Sequence, residues 1–579
     1  MRILLLVTAF NGLSQRIYEQ LKQQNHYVNV VLATNELEVR DSIHNFDPAL
    51  ILCPFLKHKI PEDIWRSKLC VIVHPGIKGD RGPSSLDWAI IEGKKTWGVT
   101  LLQACEDIDA GDIWATGNFK LNLKSKASLY RQEVTKITAK LVAELMAKLN
   151  RQDFKPSPLC YNNFDVQGKL KPHIKQTERT INWLTMSTQE IYTAIQAADS
   201  FPGVLDEFYG IPVHLYGVHH ESEIIKPQNA KPKDIIAQRL GAILVSTIDG
   251  MLWISHLKQK NTMERTYFKL PASQVLGDLI SHLPELELPI LTPHNMITYK
   301  EVSYLEFDKV GYLYFNFHNG AMSTRQCQLL LKAYNEVKEK DVNVIVLMGG
   351  DDFWSNGIHL NSIEASLNPA EESWKNINAI NDLVEAIIKT DEKLTVSALR
   401  NNAGAGGAMM ALASDFVFMR SGVVLNPHYK SMGLYGSEYW TYTLPRRVGY
   451  EVAKSLTQKC LPLGSERAFQ IGLVDTIYSE DPDIYIDELS GACSDIANGS
   501  NYESLLFKKI VERISSEKEK TLQSYRDVEL REMKNCFYDS SSSYHELRKQ
   551  FVYKDCAIIT PQYLIEANKE IVLRSEALL

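Results

Sequence analysis

Apolar runs alternate with amphipathic stretches along the first part of the chain. Four short runs, at residues 2–10, 27–34, 49–55 and 69–75, are almost wholly apolar, and the segments between them repeat apolar residues at helical spacing. Buried strands alternating with helices predict a parallel sheet covered on both faces. Ligands in such sheets sit beyond the carboxyl ends of the strands, which points to the loops after Pro54 and after His74. Residues 127–151 predict one long amphipathic helix. Ser187 and Glu190 predict a capping box at the start of another. Alternating runs at 211–218, 241–250 and 251–257, separated by turn residues, predict a small β-barrel or sheet. The proline- and leucine-rich stretch 279–297 reads as a linker. Beyond it the pattern gives a hairpin-like pair at 302–320, a helix at 323–340, and strands at 342–350, 394–400 and 416–426. A Gly/Ala-rich turn at 401–414 runs into a helix, and the remainder is mostly helical and charged. The expected fold class is multidomain α/β, with domains at 1–160, 161–285 and 286–579.

At 579 residues the chain is too long for one hydrophobic core. Lys and Arg number 63 against 70 Asp and Glu, a net charge of −7, which argues against a general nucleic-acid binder. The nine cysteines form no C-x-x-C pair and have no histidine at metal-ligand spacing. They read as reduced thiols of a cytoplasmic protein without a metal site. The apolar start is at the short end for a leader and is followed by the turn Asn11-Gly12, so it reads as a first buried strand. No apolar stretch approaches the ~18 residues of a membrane span, and neither membrane nor nucleic acid is an expected partner.

No G-x-G-x-x-G follows the first strand, so a dinucleotide site is not supported. Chemistry gathers instead at His74-Pro75-Gly76, Gly79-Asp80-Arg81-Gly82-Pro83, Gly98-Val99-Thr100 and Asp109-Ala110-Gly111-Asp112. A histidine at the end of a buried strand, facing a glycine-rich loop, is placed to meet a ligand. A carboxylate in a later turn can orient the imidazole or move protons. The order of these motifs resembles the folate-dependent formyltransferases, which include methionyl-tRNA and glycinamide ribonucleotide formyltransferases. The resemblance implies that His74 and Asp109 assist transfer of the formyl group of N10-formyltetrahydrofolate. It also implies that Cys53, Pro54, Phe55 and Arg81 bind the folate. The family's asparagine falls on Ile72, which fits a changed formyl acceptor. Residues 181–204 resemble the small C-terminal domain of the same enzymes.

In the last part of the chain two glycine-bearing turns stand out, Phe353–His359 and Asn402–Gly407. Such turns free backbone N–H groups, and two of them aimed at one carbonyl make an oxyanion hole. The pair, with Leu444–Gly449, resembles the crotonase (enoyl-CoA hydratase/isomerase) superfamily. The resemblance implies a ββα spiral with a helical C-terminus, coenzyme A as ligand, and N–H donors at Asn356 or Gly357 and at Gly406. One glutamate position of the hydratases falls on Met409 and the other near Pro427–Tyr429, which argues against ordinary hydration of an enoyl-CoA. His428, Tyr429, Glu438 and Tyr439 remain as candidate acids and bases. The fusion of the two halves resembles a family of nickel–iron hydrogenase maturation factors. That implies formyl transfer to coenzyme A, then decarbonylation that supplies carbon monoxide, with hydrogenase maturation proteins as candidate partners. A hydrolase releasing formate and a non-catalytic scaffold stay open at this point.

Overall fold

A computed structural model describes residues 1–122, 124–151, 153–555 and 559–576. The chain divides into two compact units. The first holds residues 1–267, 271–284 and 556–579, and the second holds 268–270 and 285–555. The expected domains 1–160 and 161–285 thus lie mainly in one unit. Residues 559–576, expected with the third domain, group with the first unit.

The first unit opens with a six-stranded sheet in the order β2-β1-β3-β4-β5-β6. The strands are β1 (Arg2–Val7), β2 (Tyr27–Leu32), β3 (Leu50–Cys53), β4 (Cys70–His74), β5 (Thr96–Gln103) and β6 (Ile113–Lys120). The first four are the predicted parallel strands. β5 and β6, not anticipated from the sequence, join as antiparallel neighbours. β5 is buried along nearly its whole length, whereas β6 turns polar and partly exposed toward one end. The long helix predicted at 127–151 is interrupted. Lys126–Leu129 and Thr135–Leu149 are α-helical, and a π turn at Tyr130–Val134 lies between them. Such widened turns are local irregularities that helices often carry where function demands a reoriented side chain.

The smaller module of this unit is an antiparallel sheet in the order 204–208, 211–220, 251–259, 242–246, 235–239. The helix Thr188–Ala198 begins with the predicted reciprocal cap, Ser187 accepting from the Glu190 N–H and Glu190 accepting from the Ser187 N–H. It buries Ile191 and Ile195 against the sheet in a core with Val213, Leu215 and Leu257. At the other edge of the unit, β2 is covered by the C-terminal helix Gln562–Glu576. The Asn568 carboxamide replaces a neighbouring strand: it donates to Val30 C=O at 2.9 Å and accepts the Val30 N–H at 3.0 Å. Thr560 accepts the Leu32 N–H at 3.0 Å.

The second unit has a six-stranded sheet in the order 302–307, 310–315, 344–349, 394–399, 416–420, 476–478. Its first pair is an antiparallel hairpin and the rest are parallel. A small second sheet joins Ala403–Gly404, Val424–Asn426 and Leu463–Gly464. The single strand predicted at 416–426 is therefore two. The chain turns at Gly422, whose φ of +85° a side chain would oppose, and passes from the large sheet to the small one. That crossing carries Asn426–Tyr429 into the site described below. Among the described residues no helix is long and apolar enough to cross a membrane.

Asn568→Ala removes the partners of both Val30 backbone groups. It is expected to cost about 1–3 kcal/mol in chemical denaturation of the full chain and to speed hydrogen exchange at Val30 selectively.

Candidate active sites

In the first unit β4 ends on His74, which pairs with Thr100 on β5. Its imidazole is 5% exposed and lies between two carboxylates. Nε2 is 2.9 Å from Asp80 Oδ2, and Nδ1 is 3.5 Å from Asp109 Oδ2. Glycines make this arrangement possible. A Cβ on Gly76 would lie 2.4 Å from His74 Nε2 and 2.5 Å from Asp80 Oδ2. Asp109 itself sits at φ +53° and accepts the Gly82 N–H at 3.2 Å. Arg81 Nε donates to Ile108 C=O at 2.9 Å, so the loop of residues 79–83 is tied to the turn that presents Asp109. Burial pulls the imidazole toward neutrality. The Asp80 hydrogen bond and the charges of Asp109 and Asp80 outweigh that pull and hold its pKa above the ordinary histidine value. The raised pKa makes the ring a stronger proton acceptor, able to take up a proton and give it back.

Asp80, 2% exposed, is the partner that sequence reasoning left without a role. The only signal was an acid in a glycine-rich loop, and no periodicity marks such a position. Ile72 lies two residues before His74, hence on the same face of β4. Of the folate-loop candidates, Cys53 is wholly buried in the core and its thiol is pushed well above the usual range by burial. Pro54 is buried as well. Phe55, unlike these two, offers surface; its ring meets Tyr130 of the π turn edge-on at 6.0 Å, and the Lys57 ammonium lies 5.5 Å from its centre.

In the second unit the two glycine turns meet. A Cβ on Gly357 (φ +73°) would lie 3.0 Å from Gly406 N. The turns are laced together by Gly404 N–H to Ser355 C=O at 3.0 Å and Trp354 N–H to Asn402 C=O at 2.9 Å. Gly406 is the first residue of the helix Gly406–Met410, so its N–H has no acceptor within that helix. The expected donor on the other turn is altered. Asn356 gives its N–H to Gly320 C=O at 2.7 Å, and Gly357 gives its N–H to Ser355 Oγ at 3.2 Å. Asn356 cannot serve without losing a backbone hydrogen bond, and Gly357 can serve only by breaking a long local one.

Directly over Gly406 lies the carboxylate of Glu438. A Cβ on Gly406 would come within 2.1 Å of Glu438 Oε1. Glu438 is 1% exposed, accepts the Tyr429 hydroxyl at 2.7 Å and the Ser437 N–H at 3.1 Å. Burial pushes its pKa up to about 7, against the stabilising pull of those two hydrogen bonds. His428 stands beside Gly404, where a Cβ would be 3.3 Å from its Cε1. Its Nδ1 lies 2.7 Å from Asn426 C=O, and burial lowers its pKa, so it is a neutral ring with Nδ1–H donating. Tyr439 parts from the other three: it faces Arg526 and Glu385. Met409 is a core residue, 2% exposed. Among the described residues no group of three or more His, Cys, Asp or Glu is placed to hold a metal ion.

Residues 173–269 match the family Formyl transferase, C-terminal domain, and residues 314–555 match Enoyl-CoA hydratase/isomerase. Hydrogenase maturation factor HoxX of Bradyrhizobium diazoefficiens is 42% identical over 557 residues, covering 96% of this chain and 95% of its own. The chain belongs to the HoxX/HypX family of hydrogenase maturation factors. A crystal structure of HypX from Aquifex aeolicus in complex with tetrahydrofolic acid superposes with a TM-score of 0.93 at 41% identity, covering 97% of this chain and 98% of that one. Methionyl-tRNA formyltransferase of Natranaerobius thermophilus is 24% identical over 234 residues, 38% of this chain and 72% of its own. The HoxX/HypX family thus joins the two resemblances seen in the sequence, and its fold is the multidomain α/β arrangement described above.

Two titrations follow. Asp80→Asn should lower the His74 pKa, and more than Asp109→Asn does, read by NMR of the imidazole ring. Because the folded value is raised, the pairing stabilises the fold below the unfolded value of ~6.5. That stabilisation is lost as the pH rises through the folded pKa. Tyr429→Phe removes a donor to the charged form of Glu438 and should move its inflection above about 7, read by carboxyl NMR.

Proposed function

We propose that the protein makes carbon monoxide for hydrogenase maturation in two redox-neutral steps. In the first, the formyl group of N10-formyltetrahydrofolate passes to the thiol of coenzyme A. The thiolate attacks the formyl carbon, and the C–N10 bond breaks. His74 takes the thiol proton and returns one to N10, with Asp80 and Asp109 stabilising the imidazolium in between. Ile72 fits a thiol acceptor, since this position supplies no amide donor to the formyl oxygen. The HypX structure with tetrahydrofolic acid supports a folate ligand in this family. Phe55 and Arg81 are the folate-loop residues with surface to offer one.

In the second step formyl-CoA loses carbon monoxide. The Gly406 N–H, with the turn of Asn356 and Gly357, polarises the thioester carbonyl. Glu438 removes the formyl hydrogen as a proton. The C–S bond breaks with its electron pair going to sulfur, carbon monoxide leaves, and the proton returns to the thiolate. A carboxylate with a pKa of about 7 suits both halves of that exchange. Tyr429 steadies the charged form, and neutral His428 is a second proton acceptor at the same turn. The observation that carries the reading is Glu438, buried and seated on Gly406, where the glycine turns meet. A reduced cytoplasmic setting suits the chemistry, and the eight described cysteines are unpaired.

The test supplies formyl-labelled N10-formyltetrahydrofolate and coenzyme A to the full-length protein and traps gas on a haem reporter. Labelled carbon monoxide is expected; labelled formate in its place would make the protein a hydrolase and defeat the reading. His74→Ala should abolish carbon monoxide from the folate but spare it from added formyl-CoA. Glu438→Gln should slow release from formyl-CoA by about 10²–10⁴-fold.

A further inference from the structure

Glu438 and Tyr439 both occupy the left-handed region, with φ of +60° and +57°. Two successive side-chain-bearing residues rarely hold that conformation without help. The help comes from a helix remote in sequence, Leu522–Tyr538, which sends Glu529 into the back of the site. Glu529 is wholly buried. One of its oxygens accepts the Tyr439 N–H at 2.9 Å and the Ser437 hydroxyl at 3.2 Å. The other accepts the Thr441 N–H at 2.8 Å and the Thr441 hydroxyl at 2.6 Å. These donors bracket Glu438 on both sides. Asn381 completes the hold, accepting the Glu438 N–H at 2.9 Å and donating to Ser437 Oγ at 2.8 Å.

We propose that Glu529 is a positioning residue for Glu438, fixing the left-handed turn that sets the Glu438 carboxylate on Gly406. The inference rests on the reading of Glu438 as the base that takes the formyl proton. Both carboxyls are pushed up to about 7, first by burial, and the charge of Glu438 adds to the push on Glu529. That repulsion is mutual, so Glu529 also opposes ionisation of Glu438. The other titratable groups facing the pair are Tyr429, Tyr435 and Cys327, while Arg526 and Glu385 face the neighbouring Tyr439.

The experiment uses the full chain and two variants. Glu529→Gln keeps the shape but cannot accept at both oxygens. Thr441→Val removes one donor, and it carries the test if Glu529→Gln fails to fold. Carboxyl NMR of protein labelled at glutamate identifies Glu438 by the signal lost in Glu438→Gln. Its inflection should move to lower pH in Glu529→Gln, and less far in Thr441→Val. With formyl-CoA as substrate, kcat should fall about 10–100-fold in Glu529→Gln, with KM changed by no more than about twofold. An unmoved inflection, or an unchanged kcat, in both variants overturns the inference. If the unaltered protein releases no carbon monoxide from formyl-CoA, the proposed function fails instead, and faster hydrogen exchange of the Glu438 amide in Glu529→Gln decides whether Glu529 holds the turn.

Discussion

The second unit is organised around a carboxylate taken out of water and laid on a bare backbone. A buried carboxyl must either stay protonated or be met by fixed donors, because water cannot solvate its charge. Glu438 is met by two, the Tyr429 hydroxyl and the Ser437 N–H. It can approach the Gly406 backbone only because no Cβ stands there. The balance between burial and two donors leaves the group near neutrality, neither a permanent anion nor a permanent acid. Position 406 therefore does two jobs: it presents an N–H at a helix start, and it makes room for the Glu438 carboxylate above it.

The first unit reaches a similar end from the opposite charge. His74 is buried as deeply as a core residue, and burial alone would keep it neutral. Two carboxylates reverse that outcome, and Gly76 again supplies the space, this time between imidazole and carboxylate. Proton transfer is most effective when a group titrates near the working pH. A formyl group bound to nitrogen is lost with a proton gained, whereas a formyl group bound to sulfur is lost as carbon monoxide with a proton returned. A histidine poised to protonate suits the first reaction, and a carboxylate poised to ionise suits the second.

What the sequence made legible follows from the range of the signals involved. Continuous apolar runs marked β1 to β4, since strands buried on both faces leave no other pattern. The capping box at Ser187 and Glu190 is a local device and was equally plain. The strands β5 and β6 were not, because Gly98 and Thr100 interrupt the apolar run of β5, and Gly117, Asn118 and Lys120 that of β6. The glycine turns at Gly357 and Gly406 were visible as motifs, but which N–H each turn leaves free depends on acceptors at Gly320 and Ser355. Tyr439 looked equivalent to Tyr429, yet the left-handed turn sends the two phenols to different neighbours. Asp80 and Glu529 act through contacts made only after folding, Glu529 across about ninety positions, and no spacing along the chain announces them.

The placement of Glu438 also bears on water. Addition of water across a double bond needs glutamates that can hold a water molecule in the pocket. The position expected for one of them holds Met409, sealed in the hydrophobic core within the helix that begins at Gly406. The Glu438 carboxylate comes from another element, has one oxygen, Oε2, engaged by both Tyr429 and Ser437, and stands 1% exposed. A carboxylate in that setting is better suited to taking a proton from carbon and giving it back than to activating solvent. Decarbonylation has that requirement: the thioester must be kept from hydrolysis while a proton makes one short round trip from carbon to sulfur. A dry carboxylate above an N–H donor supports that chemistry over hydration, and it explains why a helix as distant as Leu522–Tyr538 contributes to holding the turn still.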